Sequence, residues 1–472
     1  MASIQEFIKE YVRAITQGYA AVFAGAGLSR DSGYINWKEL IRPLADGIGL
    51  DVDIEKDLVA VAQYYRNERG TRSSINQKIL NEFTKECKPN ENIDILTRLP
   101  ISTYWTTNYD ELLETTLKEN NRKADVKISQ ESLANNIYDR DAVVYKMHGD
   151  VKSPEKAVLT KDDYEIYEKE RPLFRTVFQG DLISKTFLFV GFSFEDPNLD
   201  YILSQIRVLL GESAREHYCF FKKINRAEYA AEQDYIYNVA KQELKIKDLQ
   251  RYGIQAILLD SYREITGILK KIEQTYLLKN IFISGSLAVC EYPWSTESVS
   301  TFTHNLAKKL VQHNFRIISG FGDGIGSTII NGALEEIMNS KFKHVDEHLC
   351  LRPFPQILSG TMSREELWQK YREEMIAQAG VLVFVFGNKK NNDTVEEANG
   401  MIREYEIAKK MNKLVIPVGS TKGAAKTIYE EIKVNISNYI YLKDYLEILE
   451  NEIDPIRLAD LICEIIVKQQ II

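Results

Sequence analysis

The sequence lacks the features that mark several common protein classes. It contains no Cys-x-x-Cys pair, and its five cysteines, Cys87, Cys219, Cys290, Cys350 and Cys463, are widely scattered. That spacing excludes a zinc ribbon and a dithiol redox centre, so no metal is expected. An odd number of cysteines with no secretion signal fits a reducing compartment, and the chain is expected in the cytoplasm. No apolar run approaches the ~20 residues of a membrane helix. The longest, TFLFVGFSF, is short and interrupted by Gly191. There is no excess of positive charge: 60 basic against 68 acidic residues leave −8, which argues against a nucleic-acid partner, and patches such as LKKIE are too small to change that. No Pro/Gly/Ser-rich linker, short repeat or low-complexity tract is found.

What is present is an alternation of short apolar strands and helical segments, the mark of α/β layers. The N-terminal stretch MASIQEFIKEYVRAITQG interleaves charged and apolar residues at helical spacing, and Ser3 with Glu6 makes a capping box; it is not a signal peptide. Strands are expected in AAVFAG, STYWTT, AVVYKMHG, TFLFVGFS, HYCFFKK and QAILLD, then, after one amphipathic helix (YREITGILKKIEQTYLL), in IFISGS, RIISGFG, LCLRPFP, VLVFVFGN and KLVIPVG. At 472 residues more than one domain is expected. The second cycle of strands places the boundary near 275–280, giving domains 1–277 and 278–472 joined by that helix.

In the first domain, FAGAGLSRDSG puts Gly25, Ala26 and Gly27 at the end of a strand. A bare backbone there admits a ligand close to the main chain, and the amides of a following turn suit phosphate. Three further polar motifs end strands: TTNYD, KMHGD and GFSFEDPNL. In an open parallel sheet, ligands bind beyond the carboxyl ends of the strands, so the four motifs are expected to converge on one crevice.

Taken together, GAGxS, TxNxD, HG and GFSxxDPNL resemble the sirtuin (SIR2) family over about residues 10–270. The resemblance implies a Rossmann-like site for NAD as substrate. It implies Asn108 and His148 as the catalytic pair, and Gly25, Ala26, Gly27, Ser29, Asp110, Gly191, Ser193 and Asn198 along the dinucleotide. Cleaving the nicotinamide–ribose bond builds positive charge on the sugar. An asparagine can hold water or a ribose hydroxyl without adding charge, and a histidine can accept a proton near neutrality. Two departures weaken a deacylase assignment: the four-cysteine zinc module of deacetylating sirtuins is absent, and YINWKEL stands in place of their Pro-Asp-Phe segment. Water is then the natural acceptor, and the products would be nicotinamide and ADP-ribose. The alternatives are an NAD-dependent protein deacylase, which would release O-acetyl-ADP-ribose from an acetyl-lysine peptide, and a non-catalytic nucleotide-binding protein, which would release no nicotinamide.

The second domain has two Gly/Ser loops, IFISGSLAVCEY and IISGFGDGIGSTIINGALEEI, but no evident nucleophile or carboxylate–histidine pair. His344 and His348 lack the HExxH order of a zinc site. Arg352 ends a strand between apolar residues, where a bidentate phosphate partner is useful. Lys370 and Arg372 lie in WQKYREEM, a pattern usually found on a solvated helix face. Residues 280–472 resemble the SLOG family of nucleotide-ligand binders, which implies Ser284, Gly285, Ser286, Gly322, Gly324, Arg352, Lys370 and Glu404 as signal-binding residues. A SIR2 domain followed by a SLOG domain resembles the NAD-consuming effectors of the Thoeris anti-phage system. That likeness implies a cyclic ADP-ribose isomer as activator, made by a TIR-domain partner protein, and a homotetramer.

Overall fold

The computed structural model describes residues 3–194, 196–211, 215–356, 361–391 and 394–470. The chain divides into two compact units, Met1–Glu273 and Gln274–Ile472. The division falls inside the helix Glu264–Leu277.

The first unit is built on a seven-stranded parallel sheet: β1 (Ala20–Ala24), β2 (Thr103–Thr106), β3 (Ala124–Lys127), β4 (Ala142–Lys146), β5 (Thr186–Val190), β6 (His217–Lys222) and β7 (Ile254–Leu259), in the order β3-β4-β2-β1-β5-β6-β7. The N-terminal helix Ile4–Thr16 begins with the expected capping box between Ser3 and Glu6 and buries Phe7, Tyr11 and Ile15. Strands β1, β2 and β5 are buried along their whole length, as expected of parallel strands covered on both faces. Phe23, Trp105, Phe178, Phe187 and Phe189 form part of one core cluster on this sheet.

The second unit carries a five-stranded parallel sheet in the order β10-β9-β8-β11-β14, from β8 (Asn280–Ser286), β9 (Arg316–Ser319), β10 (Leu349–Leu351), β11 (Val381–Phe386) and β14 (Leu414–Pro417). Its strand β11, VLVFVF, is wholly buried. A separate antiparallel hairpin joins β12 (Asn388–Asn391) to β13 (Thr394–Glu397).

Three strands escaped the pattern of apolar runs. The hairpin is polar and largely exposed, so nothing apolar marks it. Strand β3 turns Asp125 and Lys127 inward as a buried ion pair at 2.9 Å, with Arg140 2.6 Å from the same carboxylate. The inward face of that strand is ionic rather than apolar.

His217, at the start of β6, is a structural histidine. Its Nδ1 accepts the Phe187 amide at 3.1 Å, and burial pushes its pKa down to about 3 from 6.5. Between those values the unfolded chain binds a proton that the folded chain refuses. The stability from neutral His217 is therefore complete above 6.5 and is lost as pH falls toward 3. His217→Asn keeps an acceptor for the amide and removes the titration. Urea unfolding between about pH 7 and about pH 4 should show a shallower loss of stability in the variant; equal slopes would contradict this assignment.

Candidate active site

Strands β4, β2, β1 and β5 are consecutive neighbours in the sheet. The segments that leave their carboxyl ends carry His148, Asn108, Gly25 to Ser29, and Gly191 to Ser193 respectively. The chain reverses its direction of strand addition on either side of β1, which is where open α/β sheets open a crevice. A cavity of about 350 Å³ lies there, of the size of small-ligand and cofactor pockets. Eight of the ten residues expected on the dinucleotide side line it: Ala26, Gly27, Ser29, Asn108, Asp110, His148, Gly191 and Ser193.

Gly25 is not among the residues that line the cavity. A Cβ on it would stand 2.4 Å from the Gly191 carbonyl oxygen, and a Cβ on Gly191, at φ +67°, would stand 2.1 Å from the Leu28 nitrogen. The absent side chains let these two loops interlock, with the Gly25 amide on Val190 O and the Gly27 amide on Gly191 O, each at 2.9 Å. The Gly25 carbonyl is left as a hydrogen-bond acceptor beside the site. Asn198 lies outside the residues whose side chains are described.

That carbonyl fixes Asn108. The amide Nδ2 of Asn108 donates to Gly25 O at 3.2 Å and to Ser29 Oγ at 3.0 Å. Because a carbonyl can only accept, the amide is oriented, and its Oδ1 is left as the group able to accept from a ligand. The Ser29 hydroxyl also favours the charged Asp110 carboxylate, which accepts the Leu112 amide at 3.1 Å. Burial pushes the Asp110 carboxyl up, and the nearby Lys146 ammonium opposes that shift. Asn108 thus joins Gly25 and Ser29, with Asp110 beside Ser29.

His148 is almost fully buried, and the residue that follows it, Gly149, has φ +92°. Its carbonyl accepts the Val158 amide at 2.8 Å, and the Met147 carbonyl before it accepts Arg171 Nη1 at 3.0 Å. The Nε2 atom lies 3.1 Å from Asp196 Oδ2, within ion-pair distance but not aligned as a hydrogen bond. Tyr164 packs edge-on against the imidazole and donates to the same carboxylate oxygen at 3.3 Å. Asp196 and Tyr164 are lining residues that sequence reasoning missed. Asp196 was in plain sight within GFSFEDPNL; Tyr164 carries no motif.

Apolar side chains also line the cavity, among them Trp37, Leu40, Leu58 and Phe83. Trp37 opens the helix Trp37–Asp46, whose start is fixed by a capping box between Asn36 and Glu39. The segment YINWKEL, noted above as a departure from the sirtuin pattern, thus builds part of the pocket.

In the second unit, the glycine loops again pack on each other: a Cβ on Gly322 would meet the Gly285 carbonyl oxygen at 1.9 Å. Ser286 Oγ donates to Asn388 O at 3.1 Å. Ser284, on β8, donates to Glu404 Oε2 at 2.6 Å, and both residues are buried. Burial pushes the Glu404 carboxyl up. Arg372 Nε approaches Glu404 Oε1 at 3.4 Å, and the guanidinium lies 4.9 Å from the Phe354 ring centre and 5.7 Å from that of Trp368. Arg372 is 5% exposed, and neither Nε nor Nη1 makes a hydrogen bond. The assignment of Arg372 to a solvated face is therefore wrong. Lys370, two residues away on the helix Arg364–Ala377, is the exposed one, with Glu374 at 3.9 Å. Arg352 is half-buried beyond β10, its Nη2 3.5 Å from Gln378 Oε1.

Among the described residues, no group of three or more His, Cys, Asp or Glu side chains could hold a metal, and no helix is long and apolar enough to cross a membrane.

Comparison with known proteins places these two units in context. A model of the SIR2-like domain family matches residues 102–256, and one described as the Sir2- and TIR-associating SLOG family matches residues 264–469. The NAD(+) hydrolase ThsA of Bacillus cereus (strain MSX-D12) is 48% identical over 437 residues, covering 92% of this chain and 91% of that protein. The NAD(+) hydrolase ThsA of Acinetobacter baumannii (strain 532279) is 41% identical over 472 residues, 97% of this chain and 98% of that one. The defense-associated sirtuin 2 of Bacillus subtilis is 27% identical over 219 residues, 45% of this chain and 21% of its own length.

Proposed function

This chain belongs to the ThsA family of NAD(+) hydrolases, and from that premise we propose that the crevice of the first unit cleaves NAD+ through Asn108 and His148 in response to a nucleotide signal read by the second unit. The chain is an NAD+ glycohydrolase acting in defence, with NAD+ as its substrate. Water adds to C1′ of the nicotinamide ribose while the C1′–N bond breaks. Nicotinamide leaves with the bonding electron pair, and the proton released from water passes to a base and then to solvent. The products are nicotinamide, ADP-ribose and one proton.

The observation that carries the site assignment is the meeting of Asn108 and His148 in one cavity from two adjacent strands. With its Nδ2 committed, Asn108 offers Oδ1 to the attacking water or to a ribose hydroxyl. His148, held over the pocket by its pinned backbone, takes the proton. Positive charge developing on the sugar is favoured by such fixed acceptors, which need no reorganisation as the bond breaks.

The signal proposed for the second unit is a cyclic ADP-ribose isomer made by a TIR-domain partner. The support is the buried Arg372 guanidinium, whose Nη1 makes no hydrogen bond and whose Nε has only the 3.4 Å ion-pair contact with Glu404, beside that carboxylate as an acceptor suited to ribose hydroxyls. A homotetramer and a cytoplasmic location belong to the same proposal. The test is the purified chain with NAD+, with and without cyclic ADP-ribose isomers. Nicotinamide and ADP-ribose should appear in equal amounts, faster with the signal. Release of O-acetyl-ADP-ribose from an added acetyl-lysine peptide, or no nicotinamide under any condition, would overturn the assignment.

A further inference from the structure

Lys146 ends β4 and pairs in register with Thr106, the last residue of β2. Asn108 and His148 each stand two residues beyond that pair. The Lys146 side chain is completely buried and does not line the cavity. Its ammonium donates to Asp110 O at 2.6 Å, Tyr109 O at 3.2 Å and Glu114 Oε1 at 3.1 Å, and to the Asp150 carboxylate. The first two oxygens belong to the residues directly after Asn108. Asp150 lies two residues after His148, and its other oxygen accepts the Lys152 amide at 2.8 Å. A single cation thus joins the Asn108 segment to the His148 segment, reinforced by the Val151 amide on Tyr109 O at 3.0 Å.

We propose that Lys146 is a positioning residue for NAD+ cleavage: its ammonium ties the Asn108 and His148 segments together and sets the spacing of the two groups that act on the ribose. The proposal rests on the assignment of those two residues. Buried ion clusters contribute little net stability and can be replaced by neutral groups of similar volume, so a geometric role is separable from a stabilising one. A ribose held between two catalytic groups is sensitive to their spacing, since a misplacement of about 1 Å costs ~10²-fold in rate.

The test is the triple variant Lys146→Met, Glu114→Gln, Asp150→Asn in the full chain, which replaces the cation and both its carboxylate partners by neutral groups, assayed with NAD+ beside the wild type. It removes the cation and both side-chain carboxylates that bind it. The variant should melt within a few degrees of wild type and show kcat lowered at least ~30-fold with KM changed less than about threefold. Backbone amides in 107–111 and 147–151 should exchange faster together. A folded variant with kcat within about threefold of wild type would overturn the proposal. If the triple variant does not fold, two single variants decide. Asp150→Asn loosens the link to the His148 segment and should lower kcat about tenfold, whereas Glu114→Gln, which holds no part of that segment, should stay within about threefold. Equal effects would mean charge balance alone. Should the wild type itself release no nicotinamide, the assignment of the reaction fails, and the exchange experiment then judges the tie by itself: unchanged exchange in either segment would refute it.

Discussion

Asn108→Ala and His148→Ala are each expected to lower NAD+ cleavage by at least ~10²-fold, the usual scale for a positioned acid–base or water-holding group, without unfolding the first unit. The two losses have different physical origins. Asn108→Ala deletes the acceptor Oδ1 and also the two donations that reach Gly25 O and Ser29 Oγ. Ser29 lies on the cavity wall, where water can replace the lost donor, and Gly25 O keeps the Leu28 amide at 3.0 Å, so the cost to stability is small. His148→Ala deletes the base, but its backbone bonds to Val158 and its neighbour's bond to Arg171 remain. The segment should therefore keep its path. The measurement is nicotinamide release by each purified variant at saturating NAD+, with thermal midpoints recorded beside the rates. Wild-type turnover in either variant at a matched midpoint would show that the crevice is not where the bond breaks.

The architecture was legible where apolar runs alternate with helices: TFLFVGFS, VLVFVFGN and the others become parallel strands because both faces of each sheet are covered. The convergence of four motifs was legible too, since a parallel sheet delivers every strand's carboxyl end to one edge. What could not be read was the work each glycine does. Gly25 and Gly191 look like phosphate-loop residues in the sequence, yet their missing side chains are spent on interlocking two backbones. A one-dimensional pattern does not distinguish room for a ligand from room for another chain segment. Charged residues hid for the opposite reason. WQKYREEM has the composition of a solvated face, and only the packing of Phe354 and Trp368 around one of its cations reveals that Arg372 is inside while Lys370 is outside. Lys146, lodged between strand and motif in KMHGD, gave no sign that it faces four oxygens.

Arg372→Ala is expected to abolish the response of NAD+ turnover to a cyclic ADP-ribose isomer, while Lys370→Ala leaves it within about twofold of wild type. A signal activates only if it binds the active state better than the resting one, and moving the population from about 1% to about 99% active takes roughly 5.5 kcal/mol of differential binding. A phosphate-bearing ligand can draw on Arg372, because Nη1 makes no hydrogen bond, Nε has only the 3.4 Å ion-pair contact with Glu404, and the guanidinium is already desolvated between aromatic rings. Charged hydrogen bonds are worth about 1.5–3 kcal/mol each, so two of them supply a large part of what the switch needs. Lys370 offers no such reserve: it is exposed, hydrated and near Glu374, and exposed pairs contribute about 1 kcal/mol or less. Arg372→Ala leaves Glu404 without its cation. Burial already pushes that carboxyl up, and Ser284 still donates to it, so the site can neutralise rather than unfold. The experiment is NAD+ turnover against signal concentration for wild type and both variants, with binding followed by calorimetry. Loss of binding and activation in Arg372→Ala, with unchanged signal-free turnover, is the expected result. If Arg372→Ala still binds and responds while Lys370→Ala does not, the exposed cation reads the signal and the buried one only supports the fold.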